Sequence, residues 1–137
     1  MEVVDANVIL RYLLGDVEEL YHKAEKVFTE AMEGKRRFFI PQSVVAEVVY
    51  VLSKVYKVPK SDIVSAINFF LKLRNCKVQD GKIVKVALEI YQSENLSFID
   101  CLLCAYSKVN NYKLLSFDEK LLKRCSKGEG GEIAKGS

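Results

Sequence analysis

The chain repeatedly places a run of four or five β-favouring residues ahead of a much longer helical stretch, and that alternation constrains the fold more than any other feature. The runs are EVVD at 2–5, RFFIP at 37–41, CKVQ at 76–79 and KLLSF at 113–117. Parallel neighbours in a sheet need a crossover of about a dozen residues or more, usually helical, whereas antiparallel ones can be joined by a tight turn. The spacing therefore calls for an α/β class: a three-layer α/β/α domain around a short parallel sheet of four or five strands. Several crossovers here carry two helices in succession.

Apolar periodicity and stop signals place the helices. NVILRYLL runs to Gly15, and a second helix starts at once with Asp16 as N-cap and Glu19 three residues on, carrying the stripe Leu20, Ala24, Val27, Phe28, Ala31 to a stop at Gly34. QSVVAEVVYVLSKVY, SDIVSAINFFLKL and KIVKVALEIYQ follow. FIDCLLCAYSKV is apolar almost all round, which marks deep burial. A last short helix is expected from Asp118 to about Arg124. Residues 1–125 read as one domain and 126–137 as a glycine-rich tail, in which Glu132 to Ala134 has the composition of a short edge strand.

Half of the 137 residues are hydrophobic and 28% are charged, enough to bury a core without metal or disulfide staples. No apolar run approaches the roughly 20 residues that span a bilayer, and no signal-peptide pattern opens the chain, so a cytoplasmic protein with no membrane partner is expected. Cys101 and Cys104 have C-x-x-C spacing but lie inside the most apolar helix, and no second pair of ligands stands at a zinc-site spacing. The four cysteines, at 76, 101, 104 and 125, therefore read as small buried hydrophobes. The single histidine, His22, lies about 200° around its helix from Leu20 and faces solvent, which removes histidine acid-base chemistry. A net charge of +3 is mild, and Lys35-Arg36-Arg37 and Lys120 with Lys123-Arg124 could meet phosphates or simply be solvated.

In an open parallel sheet, ligands bind beyond the carboxyl ends of the strands. That rule selects four acids. Asp5 ends the first strand, Asp118 follows the fourth, Asp100 begins the helix feeding the fourth, and Glu47 lies two turns into the helix after the second. Each has a plainer explanation. Asp5 and Asp118 can cap the helices that follow, and Asp100 fits a capping box with Ser97. Glu47 falls roughly 40° outside the apolar arc of Val44, Val48, Val51 and Val55, where a glutamate is usually solvated. Small residues, Cys104 and Ser107, share the face of Asp100 and leave room for a cavity. No single plain reading accounts for four acids from separate segments entering at one sheet edge.

VVDANVILRYL, IPQSVVAEVVYVL and LSFIDCLLCAYSKVNNYKLLSFDEKL together resemble the PIN-domain ribonucleases, most closely the toxin component of VapBC toxin-antitoxin pairs. The resemblance covers about residues 2 to 125 and implies sheet order 3-2-1-4-5. It also implies an acidic metal site of Asp5, Glu47, Asp100 and Asp118, supported by hydrogen bonds from Asn7 and Ser116. Ala6 departs from the pattern, since many members carry a hydroxyl residue there.

Clustered carboxylates repel by about 4 kcal/mol per pair at ~4 Å and an effective dielectric near 20, so such a group takes up protons or a cation. Oxygen donors select Mg²⁺ or Mn²⁺. The activity implied is metal-dependent endoribonuclease hydrolysis of RNA, with Arg11, Lys54 and Lys57 as candidates to position the substrate backbone. An antitoxin protein and a homodimer are the partners implied. The alternatives are a catalytically silent PIN-like module that binds RNA or protein, and a phospho-receiver domain, which the double-helix crossovers fit poorly.

Overall fold

In the computed structural model, described over residues 1–126, three strands form: β1 (Glu2–Val3), β2 (Phe38–Ile40) and β3 (Cys76–Val78). β2 lies between the other two and pairs with both in parallel, Val3 opposite Phe39 and Ile40 opposite Val78. This reproduces the 3-2-1 half of the expected order. The tail strand expected at Glu132 to Ala134 lies outside the described residues. The chain divides into two compact units, Met1–Gly81 and Lys82–Ser137.

The first unit holds the sheet and four helices: α1 (Ala6–Leu14), α2 (Glu18–Met32), α3 (Gln42–Tyr50) and α4 (Lys60–Lys72). Gly15 stops α1 in the left-handed region at φ 61°, where a β-carbon would be strained. Asp16 does not cap α2, which begins at Glu18 after Val17 with no side-chain cap. Its carboxylate is taken instead by Arg11, whose Nη1 lies 2.9 Å away, an ion pair that hydrophobic periodicity does not foresee. His22 is exposed as expected, between Glu18 and Glu25. Phe28, Ile40 and Ile63 are fully buried at the centre of this unit.

QSVVAEVVYVLSKVY is not one regular α-helix. After Tyr50 the chain widens into a π-helical turn over Val51–Val55, and Lys57 then adopts φ 55°. A π turn carries one residue more than an α turn, and no glycine or proline announces it.

One ion-pair group fastens the start of β1. Arg36 Nε and Nη2 each donate to the Glu2 carboxylate at 2.9 Å, Nη1 reaches Glu30 at 3.3 Å, and the guanidinium stands 5.2 Å from the centre of the Phe38 ring. The Arg36 hydrogen bonds hold the Glu2 carboxyl below its ordinary 4.5. A lowered carboxyl contributes stability fully above its ordinary pKa and loses it as pH falls through the lowered one. Glu2→Gln is therefore expected to lower Tm by no more than a few degrees at neutral pH, with the gap from wild type closing in acid. Paired thermal melts across that range check it.

The second unit contains α5 (Gly81–Ser93, its first residue shared with the boundary), α6 (Phe98–Asn110) and α7 (Glu119–Cys125). Ser97 caps α6 by accepting the Asp100 N–H at 3.2 Å, and Asn111, at φ 57°, closes it. KLLSF does not form the fourth strand. Only Leu114 in it is buried, while Leu115 and Phe117 are 71% and 100% exposed, and among the described residues the segment joins no ladder. Apolar alternation alone does not make a strand without a hydrogen-bonded neighbour.

The cysteine reading needs one correction. Cys101, Cys104 and Cys125 are all fully buried, as expected, but Cys104 and Cys125 are joined in a disulfide across α6 and α7, with Cα atoms 5.5 Å apart. Cys101 and the half-buried Cys76 lie outside that bond, and burial pushes the Cys76 thiol up to about 11. Among the described residues no helix is long and apolar enough to cross a membrane.

Candidate active site

The two acids of the first unit both leave the carboxyl edge of its sheet. Val4 extends the β1 ladder by one bond to the Phe39 carbonyl, and Asp5 follows it as the N-cap of α1. α3 leaves β2 with only Pro41 between, and Glu47 sits in its middle, exposed. Asp5 Oδ1 accepts the Ala6 N–H at 2.8 Å. The capping role foreseen for this residue is present and occupies one oxygen of the two.

In the second unit Asp118 is the N-cap of α7. Its Oδ1 accepts the Leu121 N–H at 3.1 Å, and its own N–H donates to Ser116 Oγ at 2.9 Å. Ser116 thus fixes the Asp118 backbone rather than touching the carboxylate. Asp100 sits in the first turn of α6, partly exposed, with its N–H used by Ser97.

Among the described residues none of Asp5, Glu47, Asp100 and Asp118 is in an ion pair, whereas Asp16, Glu2, Glu30 and Glu94 are each matched to an arginine. A carboxylate accepts about four hydrogen bonds, so a cap that uses one oxygen leaves the other open to a cation. Within neither unit do three or more His, Cys, Asp or Glu side chains of the described residues gather as a metal-binding group. The four acids divide two and two, Asp5 with Glu47 in one unit and Asp100 with Asp118 in the other.

The basic candidates differ in kind. Lys54, in the π turn, and Lys57 are exposed. Arg11 is held: besides Asp16, its Nη2 donates to the Tyr56 hydroxyl at 3.4 Å, its side chain is 15% exposed, and its Nε is buried with no partner among the described residues. The hydrogen bond that Arg11 donates to the Tyr56 hydroxyl leads the causes that raise the guanidinium above its ordinary pKa. Arg11 also lines a groove of about 220 Å³ between α1 and α2, with Asn7 and Val8 on one side and Leu20, Lys23, Ala24 and Val27 on the other. Sequence reasoning missed Asp16 and Tyr56 as the partners of Arg11. Their separations of five and 45 residues belong to no helical or strand period.

A family model described as the PIN domain matches residues 3–127, nearly the whole chain and both of its units. The chain belongs to the PIN-domain family. With membership comes the expected class, a three-layer α/β/α fold on a parallel sheet, of which three strands form among the described residues. The chain is also 28% identical over 124 residues, 90% of its own length and 91% of the relative's, to a protein named VapC ribonuclease from Aquifex aeolicus (strain VF5). No solved structure gives a significant match.

Proposed function

We propose that this PIN-domain protein is a metal-dependent endoribonuclease that hydrolyses RNA phosphodiester bonds, and that it is the toxin of a toxin-antitoxin pair. The observation that carries the reading is the set of carboxylates left without ion pairs at helix starts and on the helix following β2, in a chain that aligns along nine-tenths of its length with a protein named a VapC ribonuclease. In this reading residues 1–125 act as one nuclease domain whose acidic residues are Asp5, Glu47, Asp100 and Asp118.

The donor set fits a hard divalent cation: four carboxylates and no imidazole or thiolate, which suits Mg²⁺ or Mn²⁺ rather than zinc. Bound there, such an ion supplies charge neutralisation at a phosphoryl group and a water of lowered pKa. Asp5 and Asp118 are the first choices as direct ligands, since their capping bonds orient the side chains and leave an oxygen open. Asp100 acts directly or through water, and Glu47 completes the site or orients the attacking water. Ser116 holds the Asp118 backbone, and Asn7, in the first turn of α1, supports Asp5. Lys54 and Lys57 position the RNA backbone through their exposed ammonium groups. Arg11 does so indirectly, by holding the end of α1 against the segment that carries Tyr56.

An antitoxin that inserts a basic side chain among the carboxylates would silence the site by direct charge compensation, and a homodimer is the assembly proposed. Purified protein incubated with structured and unstructured RNA is expected to cleave in Mn²⁺, to stop on addition of EDTA, and to show no cleavage as the Asp5→Asn variant. Equal RNA loss by wild type and Asp5→Asn would replace the enzyme reading with a catalytically silent binding module.

A further inference from the structure

The disulfide between Cys104 and Cys125 has no part in the proposed chemistry, and its position in the fold gives it one. Cys104 lies one turn after Asp100 on the same face of α6. Cys125 is the last residue of α7, whose N-cap is Asp118. The bond therefore joins the two helices that carry the second unit's pair of acids. α7 has seven residues, well short of the ~12–15 at which an isolated helix becomes even marginally stable in water. Its place depends on what fastens it: buried Leu121 and Leu122, a 3.6 Å ion pair from Arg124 to Glu94, and the disulfide.

We propose that Cys104 and Cys125 are positioning residues, whose disulfide fixes Asp118 relative to Asp100 and makes a cation-competent site conditional on oxidation. The inference rests on the assignment of these two acids to the metal site. Both sulfurs belong to fully buried residues, so the bond is shielded once formed. It forms by exchange with a small-molecule disulfide such as oxidised glutathione. One cysteine thiolate attacks that disulfide and releases one small thiolate. The second cysteine thiolate then attacks the mixed disulfide and releases the other, so the protein loses two electrons and two protons and the oxidant becomes two thiols. Disulfides are rare in reducing cytosol except in hyperthermophiles, so the bond also constrains the setting in which the protein works.

The test uses the full-length protein equilibrated in oxidising and reducing glutathione buffers, with the bond scored by thiol alkylation and mass spectrometry. Measurements are made at a temperature where circular dichroism shows both forms folded. Amide exchange of residues 118–126, Mn²⁺ affinity and RNA cleavage are then compared, with Cys104→Ala/Cys125→Ala as a second reduced form. On reduction, exchange in α7 is expected to rise at least tenfold, with Mn²⁺ affinity and cleavage falling by a similar factor, while Cys76→Ala keeps the oxidised behaviour. Unchanged α7 exchange would overturn the proposal, as would faster exchange with undiminished Mn²⁺ affinity. Were neither form to bind Mn²⁺ or cleave RNA, the nuclease assignment itself would fall. An oxidised form that cleaves no better than the reduced one would sink only the positioning role.

Discussion

Asp118→Asn is expected to slow metal-dependent RNA cleavage by about 100-fold or more while leaving the fold in place. Partners that merely orient a metal ligand are commonly worth about 10–100-fold, so loss of a direct ligand should reach or exceed the upper end. The structure makes this substitution unusually informative. Asp118 already has a structural duty, since its Oδ1 accepts the Leu121 N–H at 3.1 Å and caps α7. Asparagine caps about as well as aspartate, and its carbonyl oxygen can accept the same bond. What it lacks is the charge and the second anionic oxygen, which makes no hydrogen bond among the described residues. The stability change should therefore stay within about 1 kcal/mol, the size of a charge–dipole contribution at a helix start. Asp118→Ala removes cap and charge together, and should cost about 1 kcal/mol in addition to the same loss of cleavage. Initial rates in Mn²⁺ with urea unfolding of all three proteins separate the roles. Asp118→Asn cleaving within a few-fold of wild type would show that the carboxylate is only a cap.

The features legible in the sequence were those set by local chemistry. The strands EV, FFI and CKV fall on the β-favouring runs, glycine stops α1, and Ser97 and Asp118 cap the helices they precede. What escaped depends on partners distant in the chain. Asp16 has the spacing of an N-cap, yet Arg11 competes for it with a charge-assisted bond, so α2 starts one residue later than the capping box suggests. The π turn at Val51–Val55 has no residue that announces it. Cys104 and Cys125 look like two more apolar positions until α6 and α7 are packed together. The same division applies to the candidate site. The plain roles of Asp5 and Asp118 as caps follow from residue type and position, and both are present. Their further role as ligands depends on which acids meet in space, and sequence spacing carries that only through resemblance to a family.

Phe28→Ala is expected to be the most destabilising single substitution in the first unit, lowering the free energy of unfolding by about 3–5 kcal/mol. Phe28 is fully buried on α2, and its ring meets Tyr12 of α1 at 5.0 Å between centroids, Phe70 of α4 at 5.1 Å and Phe38 of β2 at 6.0 Å. All three meet it at steep angles, the edge-to-face arrangement worth about 0.5–1.5 kcal/mol per pair beyond simple burial. One ring therefore ties three helices to the middle strand. Alanine would leave a void whose walls are three other aromatic rings, stiff side chains that close around it less readily than methionine or leucine would. Against a typical total stability of about 5–15 kcal/mol, the loss would be a large fraction. Phe28→Leu keeps most of the apolar volume and should cost less than half as much. In urea titrations the Phe28→Ala midpoint should fall with the slope unchanged, and a loss below about 1 kcal/mol would mean that the aromatic cluster repacks freely. The consequence extends to the proposed chemistry, because α1 is both what Tyr12 anchors to this cluster and what Asp5 caps. Loosening Phe28 should therefore lower cleavage at temperatures where the variant is still folded, an effect that a ring serving only global stability would not produce.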